Sequence, residues 1–171
     1  MYIQVLKIAL HLYIQILTLQ MKIEEIIKTV SKVTLEKRIL LNILYTQNQI
    51  SEKISEILKP YDLSTEQFNV LRILRGQNGK PVNMCDIQER MLTKNSNTTR
   101  LIDKLISKDM VVRNVCPNNR RKMEILITDN GLSALSKLDP LVETFEKNLS
   151  LNLTEVELET LNNLLEKFRT Q

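Results

Sequence analysis

Basic side chains are concentrated in one stretch of this 171-residue chain, between Thr93 and Lys122. Eight lysines and arginines against two aspartates give the stretch a formal charge of +6, whereas the whole chain carries +4 and the remainder is therefore −2. A surface that binds phosphate groups needs such a concentration, because each neutralised phosphate releases counterions. A solvated lysine and arginine face is the alternative for any single cluster. The charged residues are Lys94, Arg100, Asp103, Lys104, Lys108, Asp109, Arg113, Arg120, Arg121 and Lys122.

Two helices and a hairpin are predicted to position these charges. Asn83 can cap a helix that runs to Leu92, and after a break of two or three residues a second helix runs from Lys94 or Asn95 to Ser107, which is the helix-turn-helix pattern. Residues 111–116 and 122–127 have strand composition, and the turn-forming residues between them predict a β-hairpin with a basic tip. The coincidence of the cluster with both elements argues against a merely solvated face.

The second helix divides into two faces at 100° per residue. The inward face is predicted to hold Thr98, Leu101, Ile102 and Leu105, and the outward face Ser96, Thr99, Arg100, Asp103, Lys104 and Ser107. Arginine can bond guanine bidentately and small hydroxyl side chains can serve several bases, so the outward face suits base edges in a major groove. The predicted DNA-binding residues are Lys94, Asn95, Ser96, Asn97, Thr99, Arg100, Lys104, Arg120, Arg121 and Lys122.

Catalytic and metal-binding patterns are missing from the sequence. His11 is the one histidine and lies in an apolar stretch, and no GxSxG, HExxH, CxxC or glycine-rich phosphate loop occurs. Cys85 and Cys116 match no metal spacing and are interpreted as free thiols of a reduced cytoplasm. We therefore expect no enzyme, no metal and no cofactor.

The composition predicts a mainly α fold, since only 4% of residues are aromatic and the chain has three glycines and four prolines. Helical spacing of apolar residues extends from 22 to 59, where Pro60 ends it. Ser64 and Gln67 form a capping box for a helix that Gly76 is predicted to end with a positive φ. Thr128 and Thr154 are predicted caps of helices 129–149 and 155–169. These outer helices are more apolar than one small lobe can cover, so a second copy should bury them.

The first twenty residues allow three interpretations. Their polar residues recur every three or four positions and form one stripe, which favours an amphipathic helix packed on the protein. An upstream extension ahead of a start at Met21 and a membrane contact are the alternatives.

From Thr99-Arg100-Leu101-Ile102-Asp103-Lys104-Leu105 onward, the chain resembles the multiple antibiotic resistance regulator (MarR) family of winged-helix repressors. That stretch is similar to the family's recognition-helix signature, and Met110-Val111-Val112-Arg113 follows at the right distance. Asn119-Arg120-Arg121 and the run from Leu126 to Gly131 resemble the family's wing and its exit into the next helix. The resemblance spans about Lys22 to Arg169.

The resemblance implies a mainly α fold with a small β-hairpin wing. It implies a winged helix-turn-helix lobe at 61–128, dimerisation helices at 22–59 and 129–169, and an extension at 1–20 outside the family domain. It also implies a cytoplasmic homodimer that binds double-stranded DNA at a pseudo-palindrome as a ligand-responsive repressor. Asp103 matches the aspartate that pairs with the wing arginine, here Arg121. Asn119 replaces the family's usual aspartate, which puts the wing's own ion pair in doubt.

A small-molecule effector is a further partner that the resemblance suggests, although the residues select no ligand. Tyr45, Tyr61 and Phe68 could line a pocket, but core packing is the better interpretation. Two other functions stay open: a winged helix used only for protein interaction, which would present an apolar patch, and a helical enzyme, which would need a convergent catalytic set.

Overall fold

Seven α-helices, a 3-10 turn and a two-stranded hairpin form the described part of the computed structural model, which confirms the predicted fold class. The structure describes residues 21–93, 97–117 and 119–170, with the backbone alone at 119–121, so the interpretations of residues 1–20 lie outside it. In chain order the elements are α1 (Ile23–Ile26), α2 (Leu35–Leu58), the 3-10 turn (Lys59–Tyr61), α3 (Thr65–Arg75), α4 (Met84–Arg90), α5 (Thr98–Ser107), β1 (Val111–Cys116), β2 (Asn119–Ile127), α6 (Asp129–Ser150) and α7 (Glu155–Arg169).

The chain divides into two compact units between Ser51 and Glu52, inside α2. In the first unit the predicted helical stretch is a pair, the single-turn α1 and the long α2. Arg38 of α2 pairs with Glu24 of α1 at 2.6 Å. Ile23 is buried, whereas the apolar side chains of α2 in this unit are exposed or half-exposed.

The second unit has a continuous apolar core to which α3, α4, α5, α6 and the hairpin all contribute. Leu71, Ile87, Ile102, Ile125 and Leu135 are fully buried there. The segment before α4 also joins the core. Val82 exchanges backbone hydrogen bonds with Ile125 of β2, at 3.0 and 2.8 Å. This antiparallel bridge places one residue beside β2 in the position of a third strand.

Side-chain caps begin the helices where the sequence predicts them. Ser64 with Gln67 and Thr154 with Glu157 form complete capping boxes, and Asn83 and Thr128 each accept a bond from the helix they precede. Each cap satisfies a backbone N–H that a helix start leaves free.

The predicted ending of α3 is wrong in one respect. Gly76 has φ −61°, a right-handed conformation, because Gln77 and Asn78 donate to Leu74 and Arg75 and continue the turn beyond it. The positive φ angles fall later, at Asn78 (52°) and Gly79 (78°).

The hairpin pairs β1 with β2 in antiparallel register, from Val111 opposite Ile127 to Val115 opposite Met123. The ladder shifts between Val115 and Cys116, which faces Asn119. As a result β2 begins three residues earlier than predicted.

The two last helices differ in burial. α6 buries Leu135, Leu138 and Val142 in the core, whereas no residue of α7 is buried. The exposed apolar residues of α7 are Val156, Leu158, Leu161, Leu164, Leu165 and Phe168. Among the described residues, no helix is long and apolar enough to cross a bilayer.

Gly131, in the first turn of α6, has no room for a side chain. A Cβ there would lie 2.4 Å from the Met110 carbonyl oxygen and 2.7 Å from an Ile127 side-chain carbon. Gly131→Ala should therefore lower the free energy of unfolding by about 1–3 kcal/mol through overpacking. The measurement is urea unfolding at constant m-value.

Gly76→Ala is the matched control, since its nearest atoms would lie at 3.5 Å and its φ suits alanine. It should be neutral or stabilising by about 0.4–1 kcal/mol. Equal stability of the two variants would contradict the close-approach explanation.

Candidate nucleic-acid interface

The helix α5 is held in the second unit by its inner face. Ile102 and Leu105 are fully buried, Thr98 is 4% exposed and Leu101 is partly buried, as the helical periodicity predicts. The helix begins at Thr98 and not at Lys94 or Asn95, because the Asn97 side chain caps it by accepting from the Arg100 N–H at 3.0 Å. Asn97 therefore has a structural task beside its predicted DNA contact.

The outer face of α5 is polar and exposed. Thr99, Arg100, Asp103, Lys104 and Ser107 all lie on it, which confirms the predicted orientation. The Ser107 hydroxyl donates to the Lys104 carbonyl at 2.8 Å. Three members of this face, Thr99, Arg100 and Lys104, belong to the predicted DNA-binding set.

Asp103 forms an ion pair that sequence analysis did not foresee. Its Oδ1 lies 2.9 Å from Nη1 of Arg113, on β1, and both side chains are partly exposed. The expected partner was Arg121, whose side chain lies outside the description, so that pairing stays a prediction. The sequence carries no local signal for this pair, since the approach of Arg113 to Asp103 depends on how β1 packs beside α5.

Lys108, which follows α5, is tied to the rest of the unit. Its Nζ donates to the Asp62 backbone carbonyl and lies 2.8 Å from Oδ2 of the same aspartate. The hydrogen bond from Lys108, and then its charge, hold the pKa of the Asp62 carboxyl below its usual value. Lys108 therefore counts as a structural cation within the basic stretch.

Arg100 and Lys104 form no salt bridge with any side chain that the structure describes. They border an open cleft of about 490 Å³ together with Leu101 of α5 and its cap, Asn97. The start of α3 forms the opposite wall through Ser64 and Glu66, and Thr93 completes the lining. As far as the described residues show, both cations therefore face open space.

The hairpin contributes Lys122, which is exposed near the start of β2. The side chains of Arg120 and Arg121 and all of Lys94, Asn95 and Ser96 lie outside the description, so their predicted contacts remain untested. Among the residues described, no group of histidine, cysteine, aspartate or glutamate could hold a metal ion.

The aromatic residues proposed for a pocket lie in different settings. Phe68 belongs to the core, with the Arg72 guanidinium 5.6 Å from its ring centre, and Tyr61 packs against that core. Tyr45 is exposed on α2. Core packing therefore accounts for Phe68 and Tyr61.

Comparisons with known proteins agree with this geometry. A model of the MarR family matches residues 63–123. The multiple antibiotic resistance protein MarR of Escherichia coli K12 is 28% identical over 127 residues, which cover 73% of this chain and 87% of that protein. A crystal structure of a mutant MarR from E. coli complexed with operator DNA has 28% identity and a TM-score of 0.69, covering 81% of this chain and 99% of that one.

A crystal structure of a MarR transcription factor from Planctomyces limnophilus is 31% identical to this chain, with a TM-score of 0.60. The match covers 80% of this chain and 98% of that one. The match therefore extends over nearly the full length of that relative. The chain belongs to the MarR family of transcriptional regulators.

Proposed function

We propose that this chain is a cytoplasmic, ligand-responsive repressor that binds a pseudo-palindromic operator as a homodimer. The division of α5 into one buried apolar face and one exposed polar face carries the proposal. Its apolar face is locked into the core by Ile102 and Leu105, while Thr99, Arg100 and Lys104 project from the other side. A helix with this division can lie in a major groove without losing its own support.

The E. coli relative supports DNA as the ligand, because its structure is described as a complex with operator DNA. On this chain we assign Arg100 to a base edge, since a guanidinium can bond a guanine bidentately, and Lys104 to a phosphate. Asn95 and Ser96 would approach bases near the helix start. Arg121 would enter the minor groove, where a weakly hydrated guanidinium is favoured.

The exposed apolar side of α7 supports the dimer. Leu158, Leu161, Leu165 and Phe168 follow one another at steps of three and four, so they form one stripe along the helix. All four are at least one-third exposed. A second copy that covers the stripe would remove this apolar surface from water.

A small-molecule effector completes the proposal. The described lining of the cleft beside α5 leaves room for one. Its two cations, Arg100 and Lys104, outnumber its one carboxylate, Glu66, so the cleft favours an anion. A bound anion would occupy the same cations that the proposed DNA contact requires.

Replacing Leu161 and Leu165 with glutamate should yield monomers and abolish operator binding, because buried carboxylates would face each other across the dimer. Light scattering at micromolar concentration measures the mass. The control makes the same change in net charge on the opposite side of α7, through Asn163→Glu and Lys167→Gln, and should stay dimeric. A wild-type protein that is monomeric and folded at this concentration would contradict the dimer.

Arg100→Ala and Lys104→Ala should weaken binding in different ways. Arg100→Ala should cost about 1–3 kcal/mol on the preferred duplex and relax base discrimination there. Lys104→Ala should weaken all sequences alike and reduce the slope of log affinity against log salt by about one unit. Titrations of preferred and random duplexes measure both. Equal loss on both duplexes for Arg100→Ala would show that this residue contacts only the backbone.

The Asp103–Arg113 pair allows a test in which net charge and geometry predict opposite effects of Asp103→Asn on DNA affinity. Asp103→Asn removes a negative charge and Arg113→Gln removes a positive one, yet each breaks the tie between α5 and the hairpin. Both variants should weaken operator binding, and the double variant should cost less than the sum of the singles. Tighter binding by Asp103→Asn, titrated at fixed salt, would leave only a generic basic surface.

A further inference from the structure

The turn that leaves α5 has an unusual backbone. Asp109 adopts φ 54°, a left-handed conformation that most side chains avoid. Asp109 N–H donates to Ile106 at 2.9 Å and Met110 N–H donates to Leu105 at 3.0 Å, which is the Schellman arrangement at a helix end. Glycine usually occupies the left-handed position and aspartate tolerates it better than most other residues, so contacts from a neighbouring element can secure the turn further.

The start of α6 supplies those contacts. Asn130 Nδ2 donates to the Lys108 carbonyl at 3.1 Å, and the Thr128 hydroxyl donates to the Asp109 carbonyl at 2.7 Å. The Thr128 N–H also donates to the Met110 carbonyl at 3.1 Å. Three consecutive carbonyls of the exit turn are therefore bonded by two residues of another element. We call this set of bonds the exit clamp.

The exit clamp connects α5 to a helix with a second task. α6 has 22 residues, or about 33 Å at the usual rise per residue. Its first half packs into the core through Leu135 and Leu138, and farther along it carries the exposed Leu141 and Leu149. A tilt of α5 against α6 would therefore change the direction of α5 relative to any partner that covers the apolar end of α6.

We infer that the exit clamp, through Asn130, fixes the spacing between the two half-sites that the dimer accepts. The inference rests on the proposed function. Moving one half-site by a single base pair displaces it by about 3.4 Å and rotates it by about one-tenth of a turn. A rigid joint between α5 and α6 cannot follow this change, whereas a loosened joint can. Asn130 is a positioning residue here and contacts no DNA itself.

Asn130→Asp should break the exit clamp without preventing the chain from folding. The carboxylate has the size of the amide but cannot donate to the Lys108 carbonyl. A carboxylate in the first turn of α6 is also favourable for the helix dipole, so the variant should fold. Ser133→Asp is the control, because Ser133 is exposed one turn later in α6 and the change adds the same charge.

The experiment measures Kd for duplexes that carry two copies of the same half-site. The spacer between the copies has its native length, or is one base pair shorter or one base pair longer. The wild-type protein and Ser133→Asp should prefer the native spacer. In Asn130→Asp this preference should fall by about fivefold, the equivalent of one ordinary hydrogen bond, while affinity for a single half-site should match that of Ser133→Asp.

Two outcomes would overturn the inference, and they can be told apart. An unchanged spacer preference in Asn130→Asp would exclude the exit clamp as its source and leave the proposed function standing. A wild-type protein without any spacer preference would overturn both the inference and the proposed dimeric binding to a two-part operator.

Discussion

The burial of one side of α5 is the constraint on which the interface depends. Ile102 and Leu105 are fully buried against the core of the second unit, and Thr98 is nearly so. Since the helix turns 100° per residue, fixing these positions also fixes the direction of Thr99, Arg100 and Lys104. Polar substitutions at the buried positions would therefore disturb the outer face as well as stability, because the two faces belong to one rigid element.

The ends of α5 are fixed as firmly as its middle. Asn97 caps the start, and Lys108 ties the end to Asp62. Asp103 joins the outer face to Arg113 of the hairpin. Two of the eight cations that the sequence concentrates here are therefore engaged in holding the surface together. The positive charge that remains for a ligand is therefore smaller than the number of lysines and arginines suggests. Within the described part of the chain it is carried by Arg100, Lys104 and Lys122.

Sequence signals that involve only neighbouring residues were sufficient to predict most of the fold. The caps at Ser64, Asn83, Thr128 and Thr154 were predicted because a cap involves residues three positions apart. The inner and outer faces of α5 followed from periodicity in the same way. Gly76 was misjudged because several conformations can end a helix, and here the turn continued to Asn78 before φ became positive.

Contacts between distant residues could not be predicted by the same means. Nothing adjacent to Asp103 identifies Arg113 as its partner, since that choice depends on how β1 packs beside α5. The tie from Lys108 to Asp62 spans 46 positions, and neither residue carries a motif. The bond from Asn130 to Lys108 likewise appears only when α6 and α5 meet. The sequence thus predicted which side chains face outward, and the structure adds what holds them there.

The most direct test of the account is a selection of bound duplexes from a random DNA pool, carried out with the full chain at two salt concentrations. If the exposed face of α5 contacts base edges, an inverted repeat should be enriched, and the same half-site should emerge at both concentrations although affinity falls as salt rises. Retention of DNA at low salt with no enriched sequence, and its loss at high salt, would contradict the account.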